Sequence, residues 1–243
     1  MFLNKYRMVI SWFSCGVTSA VATKIALQRK YDVRVIYIDT GSEHPDSVRF
    51  LHDCEKWFEH PIEIYSSKEY SSHFDVIEKS HFLNSPYGAR CTLELKKKVR
   101  WALEDEMKVW DGQVIGYDIS EKNRAYRFRE QYPKAKAIFP LIEQQLSKSD
   151  CMALIRKAGI VLPLMYRLGF HNNNCIGCVK GSKGYWSHIK LHFPDVFDRM
   201  AKLEREIGHS CIKDCYLDEL VPVDLPPIVE SCSLFCDPDF MDV

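Results

Sequence analysis

The sequence of 243 residues has no long apolar run, no net charge, and no repeated or low-complexity segment. Its apolar stretches are far shorter than the roughly 20 residues needed to cross a bilayer, so it predicts no membrane span. Lys5 and Arg7 precede only a strand-length apolar run without a cleavage-like site, and we therefore expect no signal peptide. These absences together predict a cytoplasmic protein.

The charges balance at 33 basic against 33 acidic residues. Net charge therefore gives no general attraction to nucleic acid, although the basic cluster at residues 96–100 is a local positive patch. With 46% hydrophobic residues, the chain is long enough for one α/β domain with a full core.

Strand-like and helix-like segments alternate along the first two thirds of the chain. Strands are predicted near residues 7–13, 33–38, 62–65, 114–117 and 137–141, and helices near 17–30, 47–58, 95–109 and 147–158. This alternation predicts a doubly wound, mostly parallel sheet with helices on both faces. Residues 163–243, which include a helix predicted at 194–207, are expected to pack on the domain formed by residues 1–162, as a cysteine-rich lid over the carboxyl edge of its sheet.

A turn of small residues, 14–19, joins the first predicted strand to the first predicted helix. Unpaired N–H groups and the dipole at a helix N-terminus favour a phosphate, and the hydroxyls of Ser14, Thr18 and Ser19 add donors. A serine-rich turn that only caps the helix is the competing interpretation.

Three further segments place polar residues after predicted strands or at a helix start. Asp39 ends the second strand, where open parallel sheets bind ligands, although an acidic helix N-terminus explains this segment better when it is taken alone. Cys91 has basic neighbours expected to lower its thiol pKa, which suits a metal ligand or a nucleophile. Arg124 and Arg127 would share one helix face, and arginine holds phosphate well.

Ten cysteines require an explanation if the protein is cytoplasmic, where disulfides are rare. Cys54 and Cys151 are predicted core residues. The two-residue gap between Cys175 and Cys178 allows both sulfurs to reach one metal or cluster. An iron–sulfur cluster, a zinc ion and buried free thiols remain three open interpretations of the cysteines.

Taken together, the motifs at residues 14–19, 37–46, 88–103, 114–127 and 169–204 resemble the PP-loop ATP pyrophosphatases, in the branch related to phosphoadenylylsulfate (PAPS) reductase. Cys15 replaces a glycine of the usual loop, and Thr18 replaces an aspartate. The resemblance implies binding of ATP with Mg²⁺, with these residues at the nucleotide: Ser14, Cys15, Gly16, Val17, Thr18, Ser19, Asp39, Glu43, Gly116, Arg124 and Arg127.

The resemblance also implies cleavage of ATP to AMP and pyrophosphate, with catalytic roles for Ser14, Lys96 and Arg124. PAPS or adenylylsulfate reduction is an alternative, but the family's Glu-Cys-Gly-x-His segment has no counterpart around Cys232. A non-catalytic nucleotide- or nucleic-acid-binding module is a third. The sequence does not define the acceptor of AMP and leaves a homodimer open.

In the adenylylsulfate-reducing branch, cysteines near the lysine segment and a later Cys-x-x-Cys hold an iron–sulfur cluster. By resemblance, this role passes to Cys91, Cys175 and Cys178, and we assign the fourth position to Cys236. Zinc is the alternative metal.

Overall fold

The computed structural model describes residues 8–29, 31–85 and 88–224. Five parallel strands form the central sheet in the spatial order β3-β2-β1-β4-β5. They are β1 (Met8–Phe13), β2 (Asp32–Asp39), β3 (Ile62–Ser66), β4 (Gly112–Val114) and β5 (Ala137–Ile138). Asn84–Ser85 and Gly88–Ala89 pair as a short antiparallel hairpin outside this sheet.

In the described part of the chain, eight longer helices flank the sheet or lie in the last third of the sequence. They are α1 (Val17–Gln28), α2 (Asp46–Phe58), α3 (His73–Ser80), α4 (Lys98–Met107), α5 (Lys122–Gln131), α6 (Lys148–Lys157), α7 (Lys183–His192) and α8 (Pro194–Ile207). Short helical turns are Arg90–Thr92, Ile119–Glu121, Pro133–Ala135, Pro140–Glu143, Leu164–Arg167 and Leu217–Glu219, and Leu93–Lys97 is a π-helical turn.

Helices cover both faces of the sheet, which confirms the predicted doubly wound α/β class. On one face, α1, α2 and α6 bury a core that includes Val9, Phe13 and Val35. On the other face, Ile10 and Ile36 pack against Leu103 of α4. Because the side chains of a strand alternate between faces, β1 contributes to both cores.

The structure corrects several predicted boundaries. The strand predicted at 137–141 ends at Ile138, because Pro140 lacks an N–H for the sheet and instead begins a helical turn. The strand predicted at 114–117 occupies Gly112–Val114. The helix predicted at 95–109 begins as the π-helical turn Leu93–Lys97 and ends at Met107.

Three of these helices, α3, α5 and α7, were not among those predicted from the sequence. The side chain of Ser72 caps α3 by accepting from the Asp75 N–H, and Ser182 caps α7 in the same way through the Tyr185 N–H. α3 and α7 have only 8 and 10 residues, so each gives few turns of pattern in the sequence.

A second core lies under the last third of the chain. Trp186, Phe170 and Met200 are buried there with Phe74 and Ile77 of α3. The described residues after 162 therefore share a core with α3, an element of the first 162 residues. Among the helices that the structure describes, none is long and apolar enough to span a membrane.

Candidate active site

The turn after β1 is held closed by the hydroxyl of Ser19. This oxygen accepts from the backbone N–H of Ser14 at 3.1 Å and from the Ser14 hydroxyl at 3.0 Å, and it donates to the Gly16 carbonyl at 2.9 Å. Ser19 is buried, whereas Ser14 is exposed at the mouth of the turn. Ser19 therefore orders the turn, and Ser14 is the residue placed to meet a ligand.

Cys15 adopts a left-handed backbone conformation with φ of 53°. Glycine reaches this region at little cost, which explains why a glycine suits this position of the loop. The Cys15 side chain is fully buried, and burial followed by the charge of Glu43 raises the pKa of its thiol. Only its backbone can serve a ligand.

Gly116 lies where the chain leaves β4 and passes the first turn of α1. A Cβ at this position would lie 2.8 Å from both the N and the Cα of Ser19, which is a backbone clash. The glycine therefore allows two segments of the sheet edge to approach each other.

The two residues that begin α1 are less open than Ser14. The Val17 N–H donates to the Tyr166 hydroxyl at 3.4 Å, and Thr18 is half-buried.

A cleft of about 250 Å³ opens at the carboxyl edge of the sheet, between the turn after β1 and the start of α4. It brings together Ser14, Glu43 and Lys96, which the sequence singled out separately. The rest of its lining is mainly apolar and aromatic: Trp12, Phe13, Ile36, Tyr37, Ile38, Lys97, Arg100, Ile115, Tyr117 and Phe128. Apolar and aromatic walls with a few converging polar groups are typical of a small-molecule site.

Glu43 is the centre of the polar side of this cleft. Its carboxylate accepts from the Thr40 hydroxyl at 2.6 Å and lies 3.7 Å from Lys96 Nζ and 3.8 Å from Cys175 Sγ. Burial disfavours the ammonium of Lys96, but Cys175 and Glu43 outweigh it, and the pKa of Lys96 is raised. A firmly charged lysine therefore faces the cleft. Asp39, close by, accepts from the Gly41 N–H at 2.8 Å.

The two predicted arginines lie on α5, outside the cleft lining. Arg124 pairs with Glu121 at 2.6 Å and lies over the Tyr117 ring at 4.2 Å, with 60% of its side chain exposed. Arg127 is exposed and donates to the Asn123 carbonyl at 3.3 Å. Arg124 thus lies at the rim of the cleft, in contact with its lining residue Tyr117. The hydrogen bond of Arg127 stays within α5 and does not involve the cleft.

The Cys-x-x-Cys loop is organised by one tyrosine hydroxyl. Tyr185 accepts from the N–H groups of Gly177 and Cys178, each at 3.0 Å, and donates to the Cys175 carbonyl at 2.7 Å. A neighbouring residue ties this loop to the turn after β1, because the Asn173 amide donates to the Cys15 carbonyl at 2.8 Å. The same amide donates to the Ser47 hydroxyl at 3.0 Å.

Cys91, Cys175 and Cys178 lie in one region, near enough to influence each other's ionisation. The expectation of a lowered Cys91 pKa is wrong: burial and then Cys178 raise it, and Lys180 and Lys96 only partly oppose them. Burial and then Glu43 raise the pKa of Cys175 to about 12.

Cys211 also lies near Cys91 and Cys178, close enough to influence its ionisation. Its separation from them in the sequence gave no sign of this proximity. Within the ranges 8–29, 31–85 and 88–224, no three Cys, His, Asp or Glu side chains stand in a metal-binding arrangement. Cys236 lies outside the described residues.

The sheet order, the turn at the end of β1 and the cleft beside it define an open parallel α/β protein with a cleft at the carboxyl edge of its sheet, where such folds bind ligands. The chain belongs to the phosphoadenosine phosphosulfate reductase domain family, whose sequence model matches residues 8–183. This confirms the resemblance derived from the motifs.

Known proteins similar to the chain include one of known sequence and two of known structure. An uncharacterized protein from Methanocaldococcus jannaschii is 22% identical over 216 residues, covering 86% of this chain, which spans about half (51%) of that protein. The PAPS reductase from Candida auris, solved as a phosphate complex, has a TM-score of 0.51 at 15% identity, covering 71% of this chain and 83% of that chain.

The other structure is the U34-tRNA thiolase NcsA from Methanococcus maripaludis, solved with its 4Fe-4S cluster. It has a TM-score of 0.48 at 16% identity, covering 91% of this chain and 80% of that chain.

Proposed function

We propose that the protein binds ATP in the cleft beside the turn after β1 and cleaves it between the α and β phosphates, giving AMP and pyrophosphate. The observation that carries this proposal is that exposed Ser14, in the turn that leads into α1, opens into the same cleft as the charged Lys96. A hydroxyl close to a helix N-terminus and an ammonium group at the same pocket form a site for a polyphosphate.

The chemistry is a displacement at the α-phosphorus. An oxygen of the acceptor, or of water, forms a bond to this phosphorus while the bridging oxygen leaves with its electron pair as pyrophosphate. Negative charge grows on the leaving group, so donors fixed near it accelerate the reaction. In this proposal Ser14 and Lys96 hold the phosphates.

Arg124 would complete the contacts to pyrophosphate by leaving Glu121. The cost of that movement is small, because an exposed ion pair contributes only about 0–1 kcal/mol. Asp39 and Glu43 are the carboxylates at this sheet edge that would share the Mg²⁺ carried by ATP, a hard cation that prefers oxygen ligands. The metal would neutralise phosphate charge.

The test is to incubate the purified protein with ATP and Mg²⁺ and to separate and count AMP, ADP and pyrophosphate. Equal amounts of AMP and pyrophosphate are expected. Formation of ADP and orthophosphate as the only products would contradict the proposal.

The family match favours one second candidate, reduction of PAPS. That reaction would release sulfite and adenosine 3′,5′-bisphosphate and requires a thiol as reductant. Sulfite release with PAPS and reduced thioredoxin, in a sample that leaves ATP intact, would support the second candidate over the first.

We also propose that Cys91, Cys175 and Cys178 bind a metal, either an iron–sulfur cluster or zinc. Thiolates suit both, but the described thiols are not in a ligand geometry, so we derive no reaction step from the metal. Cys211 is the described candidate for the fourth ligand, and Cys236 is the candidate from the sequence.

Purification without oxygen, followed by iron, sulfide and zinc analysis, tests this proposal. Cys175→Ser should release the metal, while Cys54→Ala, a change in the main core, should retain it. Separate Cys211→Ser and Cys236→Ser variants identify the fourth ligand. A Cys175→Ser protein with wild-type metal content would refute the site.

A further inference from the structure

A second groove lies next to the nucleotide cleft, on the side facing α5. Its volume is about 470 Å³, and it shares Lys97, Arg100 and Phe128 with the cleft. The remaining lining residues are Trp101, Glu104, Trp110, Gln113, Gln131, Tyr132, Pro133, Lys134 and Ala135. A ligand in this groove would therefore lie directly beside a nucleotide in the cleft.

The groove is positively charged although the chain as a whole is neutral. Of its described lining residues, Glu104 alone is acidic, and it accepts from Arg100 at 2.7 Å and from the Gln113 amide at 2.9 Å. Among the residues that the structure describes, neither Lys97 nor Lys134 has a carboxylate partner. The adjoining segment, residues 122–136, carries six basic side chains and one acidic one.

Two large aromatic rings stand at the groove with about half of their surface open to solvent. Trp101 is 51% exposed and Tyr132 is 50% exposed. Tyr132 packs against Phe128, with ring centroids 5.0 Å apart, and still keeps half of its surface exposed. Trp101 therefore offers a large exposed apolar area in a groove whose lining also contains Lys97 and Lys134.

Rings for stacking combined with cations for the backbone are the two elements that proteins use to hold single-stranded nucleic acid. We propose that this groove binds a single-stranded polynucleotide. The further statement that the bound strand presents the acceptor to the cleft rests on the proposed function. Strand binding itself does not, since the groove needs no ATP to form.

The test measures binding of fluorescein-labelled 12-nucleotide RNA and DNA strands by anisotropy, in the absence of ATP and across a salt series. The two strands separate recognition of RNA from recognition of DNA. Stacking on one ring contributes enough that Trp101→Ala should weaken binding about 5- to 150-fold, and Trp101→Phe should restore most of it. Lys134→Ala should weaken binding of every strand and reduce the salt slope by about 0.7.

Leu191→Ala and Lys157→Ala are the matched controls, because both residues are exposed and lie outside the groove. Both controls should bind as the wild type does. The proposal is overturned if neither strand binds the wild type, or if the Trp101 and Lys134 variants bind as the controls do. It is also overturned if sedimentation shows a dimer that Trp101→Ala dissociates, since a second copy would then cover the groove. A result with RNA only, or with DNA only, supports the proposal and names the strand.

Discussion

The hydroxyl of Tyr185 offers a direct test of how the Cys-x-x-Cys loop is ordered. Tyr185→Phe removes one oxygen and with it three hydrogen bonds, to the Gly177 and Cys178 N–H groups and to the Cys175 carbonyl. Each bond contributes about 1 kcal/mol, so the free energy of unfolding should fall by about 3 kcal/mol. Where water replaces some of the lost partners, the decrease should be about 1.5 kcal/mol. No larger cavity is made, because the ring remains.

Two measurements check this expectation. Urea unfolding followed by circular dichroism gives the change in the free energy of unfolding. The rate at which a thiol reagent labels Cys175 and Cys178 in the metal-free protein reports the order of the loop itself, and this rate should rise in the variant. Tyr126→Phe is the matched control: this tyrosine is 64% exposed, and its loss should change stability by less than about 0.5 kcal/mol.

The reasoning is refuted if Tyr185→Phe unfolds at the same urea concentration as the wild type and labels at the same rate. That outcome would mean that the loop is held by its packing alone. A change in labelling rate without a change in global stability would place the effect in local opening of the loop.

Three further predictions concern Gly116, the proposed phosphate contacts and the start of α2. Gly116→Ala should destabilise the protein by about 1–3 kcal/mol and weaken ATP binding, because the added Cβ meets the backbone of α1; thermal unfolding and nucleotide titration measure both effects. Ser14→Ala and Arg124→Ala should each lower the rate of ATP cleavage ten- to a hundredfold, or about 1.5–3 kcal/mol, in proteins with unchanged circular dichroism, whereas unchanged kinetics in both would remove these assignments. Arg49 lowers the pKa of Asp46 from 3.8 to about 2, so this carboxylate stabilises the fold above pH 3.8 and loses its effect as the pH falls toward 2. Asp46→Asn should therefore cost about 2 kcal/mol at pH 7 and nothing near pH 2, as urea titrations at both pH values would show.

Much of the sheet could be predicted because its strands carry strong local signals. β1 and β2 are apolar, β-branched and buried on both faces, and each ends at a polar turn. The helix α8 was predicted with correct bounds, since Pro194 begins it and Gly208, with φ of 73°, ends it. The short strands β4 and β5 were less well placed, because two or three residues carry too little pattern to fix a boundary.

The candidate site was only partly predictable, for a different reason. Ser14, Glu43 and Lys96 follow recognisable motifs, and the structure brings them to one cleft. Tyr117 and Phe128 form part of the same cleft, yet aromatic residues in a sequence give no sign of whether they face a core or a ligand. The ionisation of Cys91 was mispredicted since burial, which depends on the whole fold, outweighs the basic neighbours visible in the sequence.

The side-chain amide of Asn173 has a consequence for the whole molecule. It is buried and holds the Cys15 carbonyl, so the peptide that shapes the turn after β1 and the loop that carries Cys175 share one fixed point. Thermodynamic linkage is reciprocal: whatever factor a ligand at the turn applies to the affinity of the loop for its own ligand is returned unchanged. If a ligand at either place displaces that amide, binding in the cleft and binding at the thiols are coupled, and each changes the affinity of the other by the same factor.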